Sequence, residues 1–298
     1  MLWKYGSVFG KKKMSDKEFP LVSFVVPVYN GEEYIRDCLN SIENQDYPNI
    51  ETIVVNDNST DNTLQIVNEK FSEAVTISLP NKNYGHSIAS NIGIESARGE
   101  YVGLLDDDVE LPKTWVSQCI KSIDNQTDVA AVATKITNPD GLQWPSETSA
   151  DSEFHVGTFV GCGVFFDKRK ISETTYFPER YFVYGNEDKF AAEILNQGYR
   201  IKYDPSIETL HKDSTRGVFT KFRYLRKNRN MLWTAWTHDV LSEAAIFTVI
   251  HLAACFSTAM KEREPLLFVR LLISAVAGFK VSYDNRDVVT HPDWNIKK

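Results

Sequence analysis

Apolar and polar positions alternate in short, regular blocks over roughly the first half of the chain. Leu21 to Val28 is rich in β-branched residues and reads as a buried first strand. Glu33 to Asn44 sets Ile35, Leu39 and Ile42 on one helical face. Thr52 to Val55 is a second apolar strand. The helix after it turns Leu64, Val67 and Phe71 inward, with Ser59 or Asp61 placed to cap it. Val75 to Leu79 is a third strand, followed by a helix over Ser87 to Ala97 with Gly99 just beyond its end. Tyr101 to Leu105 is the fourth strand. This alternation with short connections predicts an α/β fold, a doubly wound and mostly parallel sheet.

The rhythm changes after a helix near Trp115 to Asn125 and a strand near Val129 to Thr134. Residues 137–155 form a polar stretch with no period, a length that belongs to functional or disordered loops. Val156 to Phe166 is apolar but broken by Gly157, Gly161 and Gly163, where backbone can approach a ligand closely. Glu187 to Gln197 reads as a helix capped by Gly198, and Arg200 to Leu210 as one or two short strands ending at His211. From Phe219 the pattern is helical, over Phe219 to Thr237, Leu241 to Met260 and Pro265 to Phe279. The middle helix is apolar nearly all round. A membrane crossing takes about 20 apolar residues, and Glu243 and His251 count against one; a buried helix and one lying in a membrane interface both remain. The chain thus divides into a tail (1–20), an α/β domain (21–218) and a C-terminal helical region (219–298).

Composition narrows the class. At 42% hydrophobic and 24% charged, the chain has the make-up of a soluble globular protein. A formal net charge of −7 argues against a nucleic-acid binder. Cys38, Cys119, Cys162 and Cys255 form no Cys-x-x-Cys pair, which suits reduced thiols in a cytosolic protein better than a disulfide frame or a zinc site. Lys11 to Lys13 are followed by no apolar segment, so no secretory leader is expected.

The candidate chemistry sits where strands end. Asp106, Asp107 and Asp108 stop the fourth strand, and three adjacent carboxylates repel one another unless a cation or a set of donors offsets them. Hard divalent ions take such oxygens and share them with substrate phosphates, whereas a solvated acidic loop is the plain alternative. Asp57 ends the second strand, so both acidic clusters fall on the carboxyl edge of the sheet, where open α/β sheets bind ligands. Asp57 serves equally as a helix cap, and Gly85 as an ordinary turn glycine. Glu187 and Asp188 open a helix, where acids complement the dipole. There is no Walker loop, complete Gly-x-Gly-x-x-Gly or Gly-x-Ser-x-Gly elbow.

Taken in order, these pieces resemble a family-2 inverting glycosyltransferase of the GT-A fold, in its bacterial polysaccharide or rhamnosyltransferase-like branch. The resemblance rests on Val25-Val26-Pro27-Val28-Tyr29-Asn30, Val54 to Asp61, Asn83-Tyr84-Gly85 with Asn91, Asp106-Asp107-Asp108, Asn186-Glu187-Asp188 and His211. It implies transfer of a sugar from a UDP- or dTDP-sugar to a glycan or lipid-linked acceptor with Mn²⁺ or Mg²⁺. Pro27, Tyr29, Asp57, Asn83, Gly85, Asn91, Asp106, Asp107 and Arg216 would bind the nucleotide sugar. Asp108, His211 and Asp106 would hold the metal. Asp188, seconded by Glu187, would be the catalytic base. Ser90 stands where many UDP-sugar enzymes of the family carry arginine. Arg223, Arg226, Lys227 and Arg229 resemble the basic helix that follows the domain in lipid-linked glycan enzymes, so a peripheral contact with the inner membrane face or a homodimer is expected there. A sugar-1-phosphate nucleotidylyltransferase would want a glycine-rich loop in place of Pro27 to Asn30. A non-catalytic sugar-nucleotide binding module would be expected to have lost one acidic cluster.

Overall fold

The computed structural model describes residues 19–139, 143–144, 154–212 and 219–295. Arg216 and most of the polar stretch 137–155 lie outside them. The nucleotide-side half is built as the hydropathy pattern requires. Strands β1 (Val22–Val28), β2 (Ile50–Asn56), β3 (Val75–Ser78) and β4 (Tyr101–Leu104) are joined by helices α1 (Ile35–Glu43), α2 (Thr63–Lys70) and α3 (His86–Ser96). They pair in parallel in the order β3-β2-β1-β4, so the strand order reverses beside β1 and the carboxyl ends of β1, β2 and β4 meet there. β1 is buried along its whole length, as a β-branched run between two helical layers should be.

Beyond β4 the sheet becomes mixed. After β5 (Val109–Glu110), α4 (Trp115–Ile123) and β6 (Val129–Thr137) come β7 (Gln143–Trp144), β8 (Phe154–Val156) and β9 (Val164–Asp167). A single turn, α5 (Lys168–Ile171), follows, then α6 (Asn186–Asn196) and β10 (Arg200–His211). β9 lies between β4 and β6 and runs antiparallel to both, whereas β6 and β10 are parallel. The mostly parallel expectation therefore holds for the first four strands and gives way to mixed pairing after them. Of the three glycines between Val156 and Phe166, two pack against protein. A Cβ at Gly157 would strike the carbonyls of Asp293 and Trp294, and one at Gly163 would strike Thr209 and Thr134.

Two details of β10 set the site. Its register against β6 slips: Asp204 pairs with Thr134 and Glu208 with Lys135, so residues 205–207 bulge out. Its last residues then pair antiparallel with β5, Leu210 opposite Glu110 and His211 opposite Val109. A two-residue strand thus swings the acidic triplet toward the end of β10.

The core between sheet and helices is aromatic. Trp115 is fully buried between Phe24 and Phe165, and its indole N–H donates to Thr209 Oγ1 at 3.0 Å. Truncating such a residue typically costs about 3–5 kcal/mol. Phe159, Phe166 and Phe177 pack around Phe190 of α6 and fix that helix on the sheet. Three further helices complete the chain: α7 (Lys221–His238), α8 (Leu241–Lys261) and α9 (Pro265–Asp284).

Candidate active site

Asp57 is buried at the end of β2, and its carboxylate accepts the backbone N–H groups of Tyr84 (2.8 Å) and Gly85 (2.7 Å). It therefore fastens the loop ahead of α3. The first N–H of α2 goes to a different acid: Asp61, one residue before the Asn62 cap position, accepts Thr63 N on Oδ1 at 3.0 Å. Gly85 has φ +94°, and a Cβ there would lie 2.4 Å from the Phe182 ring, so what presses on this glycine is an aromatic side chain. Asn83 Oδ1 is buried with no hydrogen-bond partner among the described residues. Pro27 is buried within β1, while Tyr29 is exposed at its end. The Asn91 amide is spent at both ends on the backbone of Phe177, at 2.9 and 3.0 Å. That bidentate bond makes Asn91, expected among the nucleotide ligands, a brace for the segment before α6.

The acidic triplet splits into three roles. Asp106 Oδ1 meets His86 Nε2 at 3.1 Å, and its Oδ2 lies 3.8 Å from His211 Nε2. The same nitrogen is 3.5 Å from Asp108 Oδ2. Burial pushes the Asp106 carboxyl up, but its two histidines win and hold it well below the usual carboxylate range. Asp107 turns the other way, against the Gly31 backbone. Burial, then repulsion from Asp108 and Asp106, push it up to about 8. Asp107, expected among the nucleotide ligands, thus lies against Gly31 on the far side of the triplet from the histidines.

Asp106, Asp108 and His211 put two oxygens and one nitrogen around a common space, a donor set suited to a divalent ion with bonds of about 2.0–2.2 Å. Cys162 brings its thiol into the same space; its sulfur and ligand atoms of Asp106 and His211 lie within 4.8 Å of one another. The residues present fit Mg²⁺ or Mn²⁺ through the hard donors, with a soft one beside them.

Of the two acids that open α6, Glu187 faces this cluster. A Cβ at Gly161, the glycine of the broken apolar run that does open on the site, would lie 3.6 Å from both His86 Cε1 and Glu187 Oε1. Burial raises the Glu187 carboxyl above its ordinary range, with His86 opposing and Asp188 and Asp106 adding to the rise. Asp188 projects to another side and accepts the Thr158 hydroxyl at 2.6 Å on Oδ1. Adjacent helical residues diverge by about 100°, which is why neighbouring acids serve different neighbours.

The turn that delivers α6 is held in an uncommon conformation, with φ of +68° at Phe182, +67° at Tyr184 and +68° at Gly185. Its carbonyls are all captured. Ser87 N–H at the start of α3 takes Phe182 O at 3.0 Å. The fully buried amide of Asn230, on α7, donates to Tyr181, Val183 and Tyr184 at 3.1, 3.1 and 2.8 Å. Arg229 grips the other end of that amide through Nε and Nη2.

Sequence reasoning passed over His86, Cys162, Thr158 and Asn230. His86 alone left a trace, being next to Gly85 at the head of a helix.

The matched family model is Glycosyl transferase family 2, over residues 23–191. The chain belongs to glycosyl transferase family 2. Among curated relatives, chondroitin synthase of Pasteurella multocida (strain Pm70) is 38% identical over 135 residues, 42% of this chain and 14% of that protein. The putative glycosyltransferase EpsH of Bacillus subtilis (strain 168) is 39% identical over 114 residues, 38% of this chain and 33% of that one. The chain therefore spans well under half the length of either relative. Among solved structures, S. aureus TarS 1–349 in complex with UDP-GlcNAc superposes with a TM-score of 0.64 at 18% identity, covering 89% of this chain and 90% of that one. The mannosyltransferase PcManGT from Pyrobaculum calidifontis, in complex with GDP-Man and Mn²⁺, gives 0.59 at 17% identity, covering 88% and 87%. These likenesses establish the GT-A fold.

Proposed function

We propose that this enzyme transfers a sugar from a nucleoside diphosphate donor to a hydroxyl of a glycan or lipid-linked acceptor, with inversion and with Mn²⁺ or Mg²⁺, in bacterial polysaccharide synthesis. The observation that carries the reading is the meeting of Asp106, Asp108 and His211 beside Glu187, across the open face of Gly161. The relatives named for polysaccharide synthesis support the acceptor class, and the UDP-sugar bound by TarS supports a UDP- or dTDP-linked donor.

Asp108, His211 and Asp106 would hold the ion, whose chemistry is to neutralise charge on the departing diphosphate. His86 keeps Asp106 ionised and oriented. Asn83 offers its buried acceptor to a base N–H, and Tyr29 its exposed ring to the base face. Asp57 positions their loop from behind. Inversion needs a base opposite the leaving group, and Asp188 is our choice. Thr158 holds one of its oxygens while the other is left to take the acceptor proton, and Glu187, nearer the metal cluster, orients substrate. Arg216 is proposed as a diphosphate contact on the resemblance alone. The cytoplasmic location, and the division of the chain near residues 20 and 218, belong to the same proposal.

The test is a donor-hydrolysis screen across UDP-, dTDP- and GDP-sugars with Mn²⁺, repeated with glycan and lipid-linked acceptors. Metal-dependent release of one nucleoside diphosphate, faster with acceptor, is expected. Metal-independent turnover would remove the ion from the reading.

A further inference from the structure

Every large apolar side chain that is exposed among the described residues, apart from Tyr29, Val75 and Phe222, lies between Val240 and Tyr283. α8 and α9 turn small or aliphatic residues inward (Ala244, Cys255, Ala259; Leu267, Leu271, Gly278) and leave their outer faces apolar. Val249, Leu266 and Val276 are 70%, 72% and 73% exposed. Water does not tolerate so large a continuous apolar surface without a partner. We propose that the outer face of the α8–α9 hairpin rests in the interface of an anionic membrane, with both helices lying in the plane of the bilayer. The inference extends the proposed location of the enzyme but stands on these helices alone, independent of the transfer reaction.

Length alone would allow a crossing. The helices have 21 and 20 residues, and both are long and apolar enough to span a bilayer. α7 forbids it. That helix packs along both: Tyr224 and Trp236 bond to Cys255 O and Thr248 Oγ1 of α8, and Trp233 Nε1 donates to Ala275 O of α9. Its first half carries Lys221, Arg223, Arg226, Lys227 and Arg229, while Asn230 ties it to the turn before α6. A crossing hairpin would drag five cations and the catalytic domain toward hydrocarbon. Lying flat submerges only the outer face, by about 5–10 Å.

The charges choose lipid over a second copy of the chain. Ala244 to Met260 and Pro265 to Tyr283 contain no acidic residue, yet Arg270 is exposed in the middle of α9, and Lys280 near its end pairs with Asp284. In a self-paired interface Arg270 would be buried with no carboxylate opposite, which is costly. At a membrane its stem lies along the apolar face and its guanidinium reaches lipid phosphate. The turn of the hairpin, Lys261-Glu262-Arg263-Glu264, is neutral overall, with Glu264 held by Lys221 of α7. Trp236, Phe279 and Tyr283 cluster at its other end with Arg286 over the Tyr283 ring, the aromatic and basic pairing of membrane–water boundaries.

The experiment is flotation of the full chain with vesicles of phosphatidylcholine, with and without phosphatidylglycerol. Val249→Glu/Val276→Glu and Arg270→Glu run alongside, each checked by circular dichroism and Mn²⁺-dependent UDP binding. Wild type should float with the anionic vesicles and the double variant should lose at least tenfold of the bound fraction. Arg270→Glu should lose the preference for anionic lipid. A wild-type protein that ignores both vesicles overturns the proposal. So does one that light scattering shows to be a dimer, made monomeric by the double variant. UDP binding that fails in wild type faults the transfer reading and leaves the surface untouched.

Discussion

The side-chain amide of Asn230 holds the carbonyl of Tyr184 at 2.8 Å, and with it the turn from which α6 starts. A residue beyond the matched segment thereby fixes the helix that bears Glu187 and Asp188. Asn230→Ala strips that donor from the carbonyls of Val183 and Tyr184, while Tyr181 O keeps the Val183 N–H, at a stability cost of about 1–3 kcal/mol. Turnover should fall by about tenfold or more while UDP affinity changes little, because the loop held by Asp57 is untouched. Calorimetry with UDP beside steady-state kinetics checks it; affinity and turnover falling together would mean a global defect.

Asp108→Ala should weaken Mn²⁺-dependent UDP binding by about 10–100-fold or more. Thermal stability should hold or rise, since one of three repelling carboxylates is gone. Titration calorimetry with and without Mn²⁺ reads the first, and a melting curve the second.

Asp188→Asn should lower turnover by about 10²–10⁴-fold with donor affinity near wild type, the loss expected for a general base. Glu187→Gln should raise the acceptor KM instead. A dead Glu187→Gln enzyme beside an active Asp188→Asn enzyme would move the base by one residue.

Cys162 sets a soft donor beside hard ones. Zn²⁺ should compete with Mn²⁺ in the wild-type enzyme, and Cys162→Ser should weaken that competition about tenfold while leaving Mn²⁺ activation intact. Activation and inhibition curves for both ions suffice.

Asp204 gives a pH signature away from the site. Burial pushes its carboxyl up, but the Ser206 and Ser122 hydroxyls and the Ser206 amide outweigh that, and it titrates below its ordinary value. Its contribution is thus present above the unfolded value of about 3.9 and is lost as pH falls through the lower folded one. Asp204→Asn should melt well below wild type at neutral pH, and the gap should narrow in acid. A gap independent of pH would show that packing alone is at stake.

The sequence disclosed whatever depends on runs and periods. The four parallel strands, the helices and the acidic stop at Asp106 are of that kind, and His211 was reached through its place in the family's order. It was silent on direction: Val164 to Phe166 is as apolar as a parallel strand would be, and nothing in it says that β9 runs backwards. Single residues that act through distant backbone were equally hidden. Asn230 in a polar helix resembles any solvated amide until Tyr181 to Tyr184 are seen beneath it. Gly85 was legible as a turn glycine, but not that the Phe182 ring is what presses on it.

The three extra residues in β10 act as a phase shifter. Side chains alternate faces along a strand, so an odd change in their number turns everything beyond them over. Removing Ser206 alone would touch no ligand and leave the pairing of β10 with β6 before the bulge in place. Unless the bulge absorbs the loss, the expected outcome is a His211 turned away from Asp106 and Asp108, read as weaker Mn²⁺-dependent UDP binding. The position of His211 is therefore a counted distance from Asp204, and insertions or deletions in that short arc are expected to part it from Asp106 and Asp108.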